Sequence, residues 1–131
     1  MNGSGFDSQD ASEIVFSVGE LILLGVTEKD EEWCGLAVAV TMHRQKSMFG
    51  YAYFEDGSWS ADLELSIEIL DRVAELKSVM SSQDGKDWKV CLFQIERSEM
   101  KMNVEFEYKD ADRWRITPRN FNRMIERLRP Q

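Results

Sequence analysis

The sequence predicts an α+β fold: a mainly antiparallel sheet of about four strands in two hairpins, in the order helix, hairpin, helix, hairpin, helix. Three observations predict it. Apolar residues recur every three or four positions in three stretches, near residues 10–24, 62–84 and 117–128. Four other stretches alternate with a period of two, and polar or glycine-bearing turns separate the pieces. The 131 residues are 43% hydrophobic and 31% charged with only 2 prolines, enough apolar matter for one core and too much for a largely disordered chain. A single domain is expected over residues 10–131, behind a disordered tail at 1–9 rich in Gly, Ser and Asn.

The elements follow in order. Asp10 and Glu13 resemble a capping box, Ile14, Val15, Val18, Leu21 and Ile22 give a helical stripe, and Gly25 stops it. From Trp33 to His43 one strand face carries Cys34, Leu36, Val38, Val40 and Met42, with small residues opposite. After the polar turn Arg44 to Ser47, a second strand runs from Met48 to Glu55 with Phe49, Tyr51 and Tyr53 on one face. Asp56-Gly57-Ser58 turns the chain, and Trp59 leads to a helix capped by Asp62 with the stripe Leu65, Ile69, Val73, Leu76 and Met80. Asp84-Gly85-Lys86 closes that helix. Residues 87–96 and 100–109 form the second hairpin, and in its last strand Met100, Met102, Val104, Phe106 and Tyr108 make the buried face. Thr117-Pro118 starts a final helix that buries Phe121, Met124, Ile125 and Leu128.

The longest apolar run, Ile14 to Val26, holds 13 residues and contains Glu20, well short of a bilayer span. No basic residue precedes Lys29 and no export cleavage pattern follows, so the expected compartment is the cytoplasm, and no membrane partner is expected. Cys34 and Cys91 both fall in apolar runs and read as buried free thiols. His43 is the single imidazole, with no second ligand candidate nearby; no nucleophile elbow, phosphate loop or His-Glu-x-x-His motif occurs. The reading is therefore a protein that is not an enzyme and needs no cofactor or metal. A formal charge of −8 disfavours general adhesion to nucleic acid or anionic lipid and favours a cationic partner. The charge is uneven. From Arg113 onward six arginines face the single Glu126, and Arg119, Arg123 and Arg127, four apart, are expected to pair with the acidic sheet face or loops.

The segments Asp87-Trp88-Lys89 through Phe106-Glu107-Tyr108, Asp112-Arg113-Trp114-Arg115-Ile116-Thr117-Pro118-Arg119-Asn120 and Leu128-Arg129-Pro130 resemble the YezG-like immunity proteins of bacterial polymorphic toxin and contact-dependent inhibition systems. Tyr51 to Trp59 is similar to that family's second strand and its exit. The turn Glu99-Met100-Lys101 departs from the Gly-Lys-Phe usual there. The resemblance implies a small antidote that binds the C-terminal domain of a cognate toxin, often a nuclease, and blocks it without chemistry of its own. A nuclease cleft must attract phosphate, so it is positive, and an acidic inhibitor is steered toward it. Loop position and composition nominate Tyr53 and Trp59 as anchors and Asp30, Glu31, Glu32, Asp56, Asp110 and Asp112 as charges. The alternative class is a small acidic secretion chaperone with a similar element order, which binds an extended stretch of an effector protein. The free protein is expected to be a monomer or a homodimer, the Phe49, Tyr51, Tyr53 face or a strand edge being the candidate dimer contact.

Overall fold

The computed structural model describes residues 9–85 and 87–130, and the first apolar periodicity becomes α1 (Gln9–Leu24). Of the expected tail, residues 1–8 lie outside the described residues, while Gln9 opens the helix. Asp10 therefore sits inside the first turn, where its carboxylate complements the positive helix end, and does not cap from outside. Ile14, Val15, Val18 and Ile22 are buried as a stripe. A single 3₁₀ turn (Glu28–Asp30) leads into β1 (Gly35–Thr41).

Antiparallel pairing joins β1 to β2 (Ser47–Tyr53) on one side and to β4 (Val90–Glu96) on the other. The sheet has five strands, where the sequence reading expected about four. The addition is β3, the pair Trp59–Ser60 beside Tyr53 and Ala52, too short to leave any alternation in the sequence. With β5 (Lys101–Glu107) the spatial order is β3-β2-β1-β4-β5, so the first hairpin is in fact a three-stranded meander.

The helix expected from Asp62 begins later, as α2 (Glu68–Asp84). Residues 61–67 instead follow the end of α1: the Glu64 N–H donates to the Gly25 carbonyl at 2.8 Å and Leu63 is buried. The Ser66 hydroxyl, not Asp62, accepts the Glu68 N–H at the start of the helix. Ile69, Val73, Leu76 and Met80 are buried as the spacing requires, and Gly85 ends the helix in the left-handed conformation.

Two cores lie on the two sheet faces. Alternation sends Leu36, Val38, Val40, Cys91, Phe93 and Ile95 to one face, under α1 and α2. It sends Ala37, Ala39, Tyr51, Tyr53, Val90 and Leu92 to the other, under Trp114 and α3 (Phe121–Leu128). The alanines of β1 are small where the aromatic rings of β2 need room. Burial of Tyr51 and Tyr53 beneath α3 makes them part of the core, and Phe49 is only half-buried beside them.

Three local expectations also change. Met100 lies in the turn before β5, 57% exposed with a φ of 47°, and Tyr108 is exposed beyond the strand; Met102, Val104 and Phe106 are half-buried because β5 is an edge. Thr117 and Asn120 form a closed turn before α3, the Thr117 N–H donating to Asn120 Oδ1 at 2.8 Å and the Asn120 N–H to Thr117 Oγ1 at 3.3 Å, so the helix starts at Phe121. Cys91 is buried as expected, whereas Cys34 is only half-buried; both thiols are free.

Candidate functional site at the acidic end of the sheet

Register decides what meets at each end of the sheet. Gly35 opposes Tyr53 on one side and Glu96 on the other, so the start of β1, the exit of β2 and the turn between β4 and β5 converge. Pro130 lies there too, packed on Gly35. Between these pieces lies a cleft of about 510 Å³ whose rim carries the carboxylates of Glu32, Glu55 and Glu96 and the guanidiniums of Arg97 and Arg129.

Both guanidiniums hold the frame together. Arg97 donates to the carbonyls of Glu31 at 2.7 Å and Trp33 at 2.9 Å and lies 4.9 Å over the buried Trp33 ring. Arg129 donates to both carboxylate oxygens of Glu126, at 3.0 and 2.9 Å, and to the Gly57 carbonyl at 2.9 Å, with its charge 4.6 Å over the Tyr53 ring. Glu96 is also structural. Its carboxylate accepts the Ser98 hydroxyl and the Ser98 and Glu99 N–H groups, and the Ser98 hydroxyl bond foremost holds it below the usual carboxylate range. Glu32 and Glu55 are exposed and take no hydrogen bond or ion pair from another described residue. The uncommitted charge of the rim is therefore negative.

The eight residues nominated from the sequence do not form one site. Glu31 and Glu32 are exposed beside the cleft, and Asp56 is exposed on the adjoining turn, where the Ser58 hydroxyl and N–H hold its carboxyl below the usual range. Trp59 is 38% exposed, its ring edge-to-face between Tyr51 and Phe121, each at 5.4 Å. Asp30 and Tyr53 must be withdrawn as contact residues. Asp30 is 1% exposed, and its Oδ2 accepts the Ser60 hydroxyl at 3.2 Å, tying the 3₁₀ turn to β3. Tyr53 is 0% exposed; its hydroxyl donates to the Ile125 carbonyl at 2.7 Å, and burial pushes its pKa upward. Asp110 and Asp112 are exposed at the opposite end, past β5, where Asp110 Oδ1 accepts the Asp112 N–H at 3.0 Å and Asp112 lies 3.5 Å from Arg115.

Sequence reasoning missed Glu55, Glu96, Arg97 and Arg129. Glu96 ends β4 and Glu55 follows β2 by two residues, but only the register of β1 with both neighbours brings the two ends together. The arginine expectation is corrected as well. Arg119, Arg123 and Arg127 are in no ion pair among the described residues; Arg113 instead reaches Glu105 at 2.6 Å and Glu107 at 3.1 Å on the sheet face. Among the described residues no group of three or more His, Cys, Asp or Glu side chains could hold a metal ion, and no helix is long and apolar enough to cross a membrane.

Fold and cleft together define an α+β protein whose antiparallel sheet, covered on both faces, has at one end a cleft with Glu32, Glu55 and Glu96 on its rim. No protein-family model matches the chain, and no curated protein matches it.

Proposed function

We propose that this protein is an immunity protein: it binds the basic C-terminal domain of a cognate bacterial toxin, a nuclease, and neutralises it by contact without chemistry of its own. One observation carries the reading. The cations at the acidic end are consumed by internal partners, while Glu32 and Glu55 stand uncommitted beside Glu31 and Asp56, which leaves a negative, concave surface on a chain of charge −8. Such a surface attracts a phosphate-binding cleft and repels nucleic acid. Trp59 supplies an aromatic anchor at the neighbouring sheet edge. The resemblance of residues 84–130 to YezG-like immunity proteins points the same way.

The test is co-purification with the product of the adjacent upstream gene, followed by co-expression of the two in cells. A one-to-one complex with the folded toxin domain and survival of the cells are expected; death of the cells despite soluble protein overturns the proposal.

A second reading, a secretion chaperone, is favoured by the outer face of α1 and the approach to α2, where Phe16, Leu24 and Ile67 are 69%, 81% and 74% exposed. An extended apolar stretch of an effector could lie there. Binding of an unfolded N-terminal segment, with no affinity for a folded toxin domain, would select this reading.

A further inference from the structure

The opposite end of the sheet carries a second cleft, and its chemistry is reversed. On the face that α3 covers near Tyr53, the far half is left to Trp114, which packs over Ala39 and Val90. Between the β1–β2 loop and residues 111–115 a space of about 560 Å³ remains open. That volume is typical of small-molecule sites.

Its apolar wall is aromatic, formed by Phe49 and Trp114. Its mouth is polar. Thr41, His43, Arg44, Gln45 and Ser47 all line it, and none of these five side chains makes a hydrogen bond or ion pair with another described residue. Arg115 faces them from the other side, with Asp112 at 3.5 Å, longer than a charge-assisted hydrogen bond. The nearby Asp87 feels His43 but is held by Lys77 at 2.7 Å. Arg44 and Arg115 thus outweigh the single lining carboxylate, Asp112. A local excess of positive charge stands on a strongly acidic chain.

The loop is specified in shape as well as in composition. Arg44 adopts a φ of 64°, and the Gln45 N–H donates to the His43 carbonyl at 2.7 Å, a tight bend that a non-glycine residue holds at a conformational cost.

We propose that this cleft binds a small ligand consisting of a flat ring that bears an oxyanion, either a phosphate or a carboxylate. The ring lies against Phe49 and Trp114, and the oxyanion accepts hydrogen bonds from Arg44, Arg115 and the hydroxyl and amide donors of the mouth. This site is independent of the acidic end and of the toxin reading.

Two probes distinguish the sources of the anion: phenyl phosphate and phenylacetate, titrated into the full chain and followed by amide and indole NMR shifts. At least one should saturate with a Kd near or below about 1 mM, shifting the amides of residues 41–47 and the Trp114 indole. Benzyl alcohol should bind at least tenfold more weakly, and so should inorganic phosphate, which lacks the ring. Arg44→Ala and Arg115→Ala alter exposed side chains, so the fold is expected to persist, as unchanged shifts elsewhere would verify; each should weaken the better probe at least fivefold. The stronger of the two probes identifies the anion. The proposal is overturned if neither probe saturates by about 10 mM, if benzyl alcohol or inorganic phosphate binds as well, or if both variants bind like the parent.

Discussion

Tyr53 and Asp30 look, in sequence, like surface residues: one closes a strand beside a glycine turn, the other sits in an acidic run. Each is buried because an element distant in sequence lies on it, α3 on Tyr53 and β3 on Asp30. The cysteines divide in the same way. Burial pushes the Cys91 thiol upward, between the strands and the helical layer, whereas Cys34 lines the acidic cleft. Thiolate is the reactive form, so a buried thiol is inert. One equivalent of a thiol reagent should therefore react rapidly with the native protein, mapping to Cys34 by peptide analysis, and a second only after denaturation. Two rapid equivalents would contradict the packing around Cys91.

Elements are joined by short-range contacts that tolerate little change. Gly25 ends α1, and a Cβ there would come 2.0 Å from the Glu64 carbonyl oxygen, which is backbone and cannot swing away. Gly57, with a φ of 91°, has nothing within 4 Å of a Cβ and suffers only conformational strain. Gly25→Ala should destabilise by about 3 kcal/mol or more, because the α1 end must separate from residues 61–65. Gly57→Ala should cost about 1 kcal/mol. Urea unfolding of the two variants checks the order, and equal losses would place residues 61–65 away from α1.

The loop after β5 is fastened electrostatically. Glu107 accepts the Lys109 and Asp110 N–H groups, each at 3.0 Å, and pairs with Arg113; the backbone bonds foremost hold its carboxyl below the usual range. A carboxyl depressed on folding contributes stability above its unfolded pKa and loses it as the pH falls through the folded value. Thermal unfolding of Glu107→Gln should thus lie below wild type at about pH 7, and the gap should close progressively below about pH 4. A gap independent of pH would show that shape, not charge, fastens the loop.

Across the whole molecule, the two clefts differ in the charges they leave uncommitted. The start of β1 and the exits of β2 and β4 present Glu32 and Glu55 unpaired, while the β1–β2 loop and residues 111–115 present Arg44 and Arg115. Uncommitted rim charges act mainly on association rate. Glu32→Gln combined with Glu55→Gln should slow association with the toxin domain about tenfold at low salt, and the two proteins should converge near 0.5 M salt, where the screening length is only about 4 Å. An unchanged rate would move the contact away from this end.

Element type was legible wherever one face packs. Val73, Leu76 and Met80 read as helix because burial imposes a 3.6-residue period, and Leu36, Val38 and Val40 read as strand because it imposes a period of two. Glu32 and Asp56 were legible as charged loop positions. Their grouping with Glu55 and Glu96 was not, since it depends on partners some 20 to 60 residues away.

By itself the sequence determined the class of fold, the faces that face inward and an acidic net charge, because these follow from local periodicity and summed charge. Tertiary structure alone decided that Trp59–Ser60 adds a fifth strand, that Asp30 and Tyr53 are withdrawn from the surface, and that the two ends of the sheet carry opposite clefts. Each of those outcomes rests on strand register and on where α3 lands, and both are set by contacts between residues far apart along the chain.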